Sequence, residues 1–356
     1  MKKVLVIFGG ASSEHDVSVV SANSVIKNIP ADKYETVMLG ITKDGQWFKY
    51  TGDPELLIND IWAEDTDNCT PAMISPNRKD HSILVFTKNG VEKEYIDVVF
   101  PVLHGKNGED GTIQGYLQLA GIPYVGCDCV SSGICMDKEL TNIMTDAAGF
   151  PQAKWLGVKR YEYKIKSDEI LKQAEEKLGY PIFVKPANAG SSVGISKATD
   201  LDSLKKAVET AFEHDEKLVF EEGIDGHEVE CAVMGNDGEL FASIPGEIVP
   251  CNDFYDYEAK YIAGTSKLNI PAEIGEEKLE EVREAAKKVY GFLGCSGLAR
   301  VDFFVRKSDG LVMLNEPNTI PGFTSISMYS KMMEKSGIPY SELVDKLLTL
   351  AQEKWS

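Results

Sequence analysis

The sequence predicts an α/β protein of two or three domains, and three stretches carry that prediction. Val4 to Phe8 is an unbroken apolar run entering Gly9-Gly10, the pattern of a strand buried on both faces that ends in a tight loop. Ile96 to Leu103 is a second such run, followed by a polar loop, an apolar helical pattern at Ile113, Leu117 and Ala120, and a short strand from Ile122 to Gly126. Strand, helix and strand in succession imply parallel pairing with a right-handed crossover. The third stretch, Phe183 to Gly194, is a strand that delivers Lys185 and then breaks into a small-residue loop, Ala187-Asn-Ala-Gly-Ser-Ser-Val-Gly194.

Taken in order, the first strand leads into a helix for which Ser13 to Asp16 reads as a capping box. Functional groups gather at the carboxyl ends of parallel strands, which places Gly9, Gly10 and His104 at the centre of interest. From Cys127 the pattern turns helix-rich, with a helix beginning at Met136-Asp-Lys138, and Pro151 opens a new strand and loop unit. Leu204, Ala207, Val208, Ala211 and Phe212 mark an amphipathic helix before a strand at Leu218 to Glu222. The last region carries a helix through Leu279, Val282, Ala286, Val289 and Leu293 that stops at Gly294. The boundaries expected are 1–126, 127–222 and 223–356, with no internal repeat.

Composition narrows the partners. With 356 residues and 43% hydrophobic side chains the chain can bury substantial cores. Its formal charge of -19 argues against a nucleic-acid or anionic-membrane surface, so any phosphate must be met by local cations or metal. The seven cysteines form no C-x-x-C pair, and their odd number fits a reducing compartment. Cys127-Asp-Cys129 reads as packing at a strand end, with metal binding the alternative. The N-terminal apolar run of five residues is too short for a signal core or a membrane span, which gives a cytoplasmic expectation.

The Lys185 loop suits phosphate: a lysine supplies point charge, and glycines and serines let backbone N–H groups approach oxygens. The lysine precedes the glycines, so this is not the Walker order, and an ordinary turn with a surface lysine is the alternative. Near the C-terminus, Asp302 and the pair Glu316 and Asn318 lie on strand-like runs. A spacing of two puts Glu316 and Asn318 on one face, toward which Asp302 can point from a neighbouring strand. Oxygen ligands of this kind suit magnesium, although single acids at strand edges are usually solvated.

Seven strings in order resemble the D-alanine:D-alanine ligases: Glu14-His-Asp-Val-Ser18, Leu103-His-Gly-Lys-Asn-Gly-Glu-Asp-Gly-Thr112, Met136-Asp-Lys138, Lys185-Pro with Gly190-Ser-Ser-Val-Gly194, Phe254-Tyr-Asp-Tyr-Glu-Ala-Lys-Tyr261, Arg300-Val-Asp302, and Asn315-Glu-Pro-Asn-Thr-Ile-Pro-Gly322 onward. The resemblance implies a three-domain ATP-grasp fold with a Rossmann-like N-terminal domain, and an ADP-forming ligase that joins two D-alanines through an acyl phosphate for peptidoglycan. It implies ATP, two magnesium ions with manganese able to substitute, and a homodimer. Residue by residue, Lys138, Lys185 and Ser192 meet the ATP phosphates, Glu221 with Glu222 lies on the adenine side, and Glu228 accepts ribose hydroxyls. Asp302, Glu316 and Asn318 bind metal, and Arg300 with the Gly322 backbone stabilises the tetrahedral oxyanion. Glu14 takes the first ammonium and His104 lies near its carboxylate. Ser191, Tyr261 and Glu14 form a trio, Ser327 receives the second carboxylate, and Lys260 reaches the γ-phosphate. Phe254 to Tyr261 is a lid, with residues 254–266 expected open or mobile without ligands.

The intact Lys260-Tyr261 pair disfavours D-lactate as acceptor, whereas D-serine and D-alanine differ too little for sequence to separate in an apolar pocket, and D-alanine is the expected choice. Ile326 departs from the histidine of many members. An NAD-dependent oxidoreductase is set aside because no G-x-G-x-x-G follows a strand. A non-catalytic ATP-binding module would be marked by loss of Arg300 or of a metal ligand, and all are present.

Overall fold

Strand β1 (Lys2–Gly9) is buried from Val4 to Phe8 because it has a parallel neighbour on each side, β2 (Tyr34–Ile41) and β7 (Val98–Val102), and helices on both faces. The computed structural model describes residues 1–249, 267–324 and 326–355. Helix α1 (His15–Asn28) packs Val19, Ala22 and Val25 on Val4, Val6 and Phe8, while α2 (Thr112–Ala120) packs Ile113, Leu117 and Ala120 on Leu5 and Ile7. The two helices leave the sheet on opposite faces. An antiparallel extension, β3 (Trp47–Tyr50), β4 (Cys69–Ile74), β5 (Ser82–Thr87) and β6 (Gly90–Tyr95), completes a seven-stranded sheet ordered β6-β5-β4-β3-β2-β1-β7.

Two expectations change here. The predicted strand at 122–126 is a single parallel bridge, Val99 to Tyr124, since Pro123 has no N–H with which to extend a ladder. The capping box is absent: Glu14 is the N-cap of α1 and makes no capping hydrogen bond, because its carboxylate is directed across the cleft to Ser191. Ser12 Oγ instead accepts the Glu14 N–H at 3.1 Å.

The second sheet, ordered β10-β9-β11-β8, is antiparallel and comprises β8 (Trp155–Lys159), β9 (Ile182–Pro186), β10 (Ser196–Ala198) and β11 (Lys217–Glu222). Helices α5 (Arg160–Leu178) and α6 (Leu201–Phe212) cover one face of it. Between the two sheets lie α3 (Cys129–Met136) and α4 (Lys138–Ala147), capped by Asp128 and Asp137. Cys129 therefore starts a helix where the sequence suggested a strand end. Cys135 and Met144 from these helices pack into the core of the third sheet, not the second.

That third sheet includes β12 (Gly226–Gly235), β13 (Phe241–Ala242), β14 (Gly246–Val249), β15 (Lys267–Asn269), β16 (Gly297–Arg306) and β17 (Val312–Asn318). Helix α7 (Glu276–Phe292) buries Val282, Ala286, Val289 and Tyr290 against it, and Gly294 follows with φ +69°, as a helix stop requires. Helices α8 (Met328–Lys335) and α9 (Tyr340–Lys354) join the core containing Val4, Val6 and Val102, so the C-terminal helices seal the first sheet to the third.

Candidate active site

Alternation decides which side chains reach the cleft. On β9, Ile182 and Val184 face the helices, which leaves Lys185 on the opposite face; on β11, Leu218 and Phe220 do the same and leave Glu221 beside it. Lys185 Nζ lies 2.6 Å from Glu221 Oε2. Burial would lower the lysine pKa, but Glu221, Glu316 and Glu228 outweigh it and raise the value. Glu222 points the other way, its carboxylate accepting the Lys154 N–H at 2.9 Å, so the structure separates it from Lys185.

On β16 the core takes Ala299, Val301, Phe303 and Val305, which turns Arg300 and Asp302 outward. Register brings Glu230 and Glu316 opposite Asp302, and Asn318 opposite Arg300. Glu316 shares parity with the core residue Leu314, and only a bulge re-aims it: Phe303 pairs with Leu314 but Asp302 with Glu316, which leaves Asn315 as the extra residue. The Arg300 guanidinium grips both Asp302 oxygens at 2.7 Å and lies 3.1 Å from Glu230. Burial disfavours its charge, yet Asp302 and Glu230 hold its pKa well above the ordinary value. Asn318 Nδ2 donates to Asp302 at 2.9 Å.

Lys138, the first residue of α4, donates to the Ala189 carbonyl at 2.9 Å and lies 3.5 Å from Glu316. It therefore ties the small-residue loop to β17. Within that loop Ser191 and Ser192 both adopt left-handed φ, +50° and +59°. Such conformations cost non-glycine residues roughly 1 kcal/mol apiece and concentrate at functional sites. Ser191 donates to Glu14 across the cleft. Room for the Glu14 carboxylate depends on two glycines: a Cβ at Gly105 would lie 2.2 Å from Glu14 Oε2, and one at Gly190 2.8 Å from it.

These groups line one cavity of about 570 Å³, whose wall includes Glu14, His104, Lys138, Ser191, Ser192, Arg300, Glu316, Asn318, Gly322 and Ser327. Lys185, Glu221, Glu222, Glu228 and Asp302 lie outside its wall, with Asp302 directly behind Arg300 and Asn318. Lys260, Tyr261 and the lid from Phe254 onward fall outside the described residues. His104 is buried, and both ring nitrogens are engaged, Nδ1 with the Ile320 carbonyl at 3.0 Å and Nε2 with Ser21 Oγ at 3.2 Å. It anchors its loop to the 320s segment while lining the cavity. Ser327 Oγ accepts the Thr324 N–H at 3.0 Å.

Sequence reasoning missed Glu230, which lines the cavity and pairs with Arg300. The signal was its spacing of two from Glu228, the same rule that selected Glu316 and Asn318. It also missed Glu109, 3.8 Å from His104, and Lys217, 3.2 Å from Glu139 and bonded to Asp137.

For metal, Asp302, Glu316 and Asn318 offer two carboxylates and a carboxamide on one face. Among the described residues no three His, Cys, Asp or Glu side chains form a self-sufficient cluster. An all-oxygen set of this size fits magnesium, which keeps water and is completed by phosphate oxygens.

Two family models match the chain, the D-Ala D-Ala ligase N-terminus over residues 3–127 and the D-Ala D-Ala ligase C-terminus over residues 144–349. The D-alanine–D-alanine ligase of Caldicellulosiruptor bescii is 51% identical, covering 99% of this chain and 95% of the relative. That of Acetivibrio thermocellus is also 51% identical, over 100% and 97%. Among solved structures, the VanG D-Ala:D-Ser ligase from Enterococcus faecalis superposes with a TM-score of 0.90 at 45% identity, covering 98% of this chain and 99% of that one. The Bacillus anthracis D-alanine–D-alanine ligase complexed with ATP gives 0.73 at 30% identity, over 100% and 99%. With both family models matched in order and half of all residues shared with full-length relatives, this chain belongs to the D-alanine–D-alanine ligase family.

Proposed function

We propose that the chain condenses two D-alanines to D-alanyl-D-alanine with conversion of ATP to ADP and phosphate. The observation that carries the reading is the single cavity flanked by the Glu14–Ser191 pair at one side and by Lys138, Arg300 and Glu316 at the other. In this reading the γ-phosphoryl group passes to the donor carboxylate, ADP leaves, the acceptor amine attacks the acyl carbon, and phosphate departs as the amine loses a proton. Glu14 holds the donor ammonium. Lys138 and Lys185 hold phosphate oxygens, with Ser192 and its neighbours presenting backbone N–H groups. Arg300 and the Gly322 N–H face the oxyanion of the tetrahedral species, and Ser327 receives the acceptor carboxylate.

Asp302, Glu316 and Asn318 would hold magnesium, which supplies charge neutralisation for the transferred phosphoryl group. Closure over the bound substrates would keep water from an acyl phosphate it would otherwise hydrolyse. The test is product identity: ADP and phosphate should form only when D-alanine is supplied with magnesium. AMP and pyrophosphate would overturn the mechanism.

A second reading, D-serine as acceptor, is favoured by the VanG superposition at a TM-score of 0.90. Equal concentrations of D-alanine and D-serine, with the dipeptides separated by chromatography, decide between them. We infer further that the units 1–126, 127–222 and 223–356 act as domains, that the protein is a cytoplasmic homodimer, and that sedimentation will give twice the chain mass of 39.2 kDa. Among the described residues six cysteines are free, in keeping with a reducing compartment, and no helix is long and apolar enough to cross a membrane.

A further inference from the structure

We propose that a second cavity, of about 290 Å³, is a binding site for a small flat aromatic acid, and that its occupancy alters the substrate cavity through the loop at residues 104–111. It lies at the carboxyl ends of β1, β2 and β7. There α1 and α2 depart to opposite faces, the crevice in which open α/β sheets take their ligands.

The walls set the ligand's character. Trp47 and Tyr116 stand edge to face with centroids 6.3 Å apart, and Ile41, Leu103 and Ile113 complete an almost wholly apolar lining. Glycines open the floor and rim: a Cβ at Gly10 would come no closer than 3.6 Å to Leu103, and one at Gly45 would meet nothing within 4 Å. The volume is near the lower end for small-molecule sites, roughly 300 Å³, which suits one or two fused rings.

Charge at the mouth selects an acid. Lys106 lines the cavity, is exposed, and has no ion pair among the described residues, although the whole chain carries -19. The acids of its own loop are turned inward to backbone N–H groups: Glu109 accepts from Gly105 at 2.9 Å, and Asp110 from Asn107 and Thr112 at 2.9 and 3.0 Å. The Lys106 ammonium is left to face a ligand carboxylate.

His104 belongs to the walls of both cavities, and Gly105 sits against the Glu14 carboxylate. A ligand pressing on Leu103 and Lys106 therefore shifts the groups that bound the substrate cavity. This coupling rests on the proposed ligase reaction, whereas binding itself does not.

The experiment titrates the full chain with indole-3-acetate and with uncharged indole by calorimetry, with and without saturating ATP, and measures the KM for D-alanine at saturating acid. Saturable binding of the acid, indifferent to ATP, is expected, with KM raised at least about twofold. Lys106→Gln, at an exposed position, should weaken the acid by about fivefold or more, the worth of one exposed charge pair, and leave indole unchanged. Thr112→Trp, on the exposed first turn of α2, should block both ligands without shifting the thermal midpoint. No saturable binding, displacement by ATP, or full binding to Thr112→Trp overturns the site. Equal acid binding by Lys106→Gln overturns the charge assignment, and an unchanged KM overturns the coupling.

Discussion

The two sides of the substrate cavity are built on different physics. On the proposed phosphate side every cation among the described residues already has an acidic partner: Arg300 holds Asp302 and Glu230, Lys138 lies by Glu316, and Lys185 by Glu221. At the amino-acid side the organising element is one carboxylate, Glu14, held by a serine hydroxyl and given room by two glycines. Binding at the first side is an exchange of partners among charges whose desolvation has been met in folding. Binding at the second adds a charge to a site with one anion at its centre. Mutations on the phosphate side should therefore damage folding and turnover together, and those on the amino-acid side mainly substrate affinity.

The largest effect is expected from Arg300→Ala, which takes the guanidinium away from between the buried carboxylates Glu230 and Asp302. Removing one partner of such a group costs about 3 to 5 kcal/mol, so the urea midpoint should fall sharply and turnover should vanish. A variant of wild-type stability would break the comparison at its strongest point. Next comes Asp302→Asn, which should slow turnover on the order of 100-fold or more and lower the urea midpoint less than Arg300→Ala does, with the turnover loss partly recovered at high magnesium. Activity that ignores magnesium concentration would remove Asp302 from the metal site.

Glu14→Gln should then sharpen the contrast. Losing one charge-assisted contact, about 1.5 to 3 kcal/mol, raises the KM of the first D-alanine roughly 10- to 100-fold and leaves the melting temperature near that of the parent. A large drop in melting temperature instead would place Glu14 among the structural charges. The smallest effect belongs to His104. Burial lowers its pKa, but the Glu109 and Glu14 carboxylates and the Ile320 carbonyl raise it overall above the ordinary 6.5. A histidine with a raised folded-state pKa adds stability that is fully present below about pH 6.5 and is lost as pH rises through the folded value. Urea titrations from pH 5.5 to 8.5 should show this decline, and His104→Gln should flatten it.

Much of this arrangement was legible from residue spacing, because strand alternation is a local rule. Ile182 and Val184 in the core dictate where Lys185 points, and Arg300 with Asp302 follows from Ala299 and Val301. Glu316 shows the limit. Parity alone puts it on the core face with Leu314, and the bulge that reverses this is a property of pairing with β16, invisible in the run Val312 to Asn318. The capping box failed for a related reason, since the group Glu14 bonds lies 177 positions away, at Ser191. The engagement of both His104 ring nitrogens was equally illegible, because its partners, Ser21 and the Ile320 carbonyl, come from distant segments.

The packing of Glu14 against Gly105 and Gly190 has a consequence for how such a chain can diverge. Neither glycine is bound only by its own backbone, because a methyl group at either, 2.2 and 2.8 Å from Glu14 Oε2, would push that carboxylate out of place. Shortening position 14 to aspartate withdraws that obstacle, so Gly190→Ala should be far better tolerated in a Glu14→Asp background than alone. Gly105 stays restricted by its φ of +69° and by Ser12 Oγ at 2.8 Å, so positions 14 and 190 form the heritable pair, in which drift at one site changes which alleles are viable at the other.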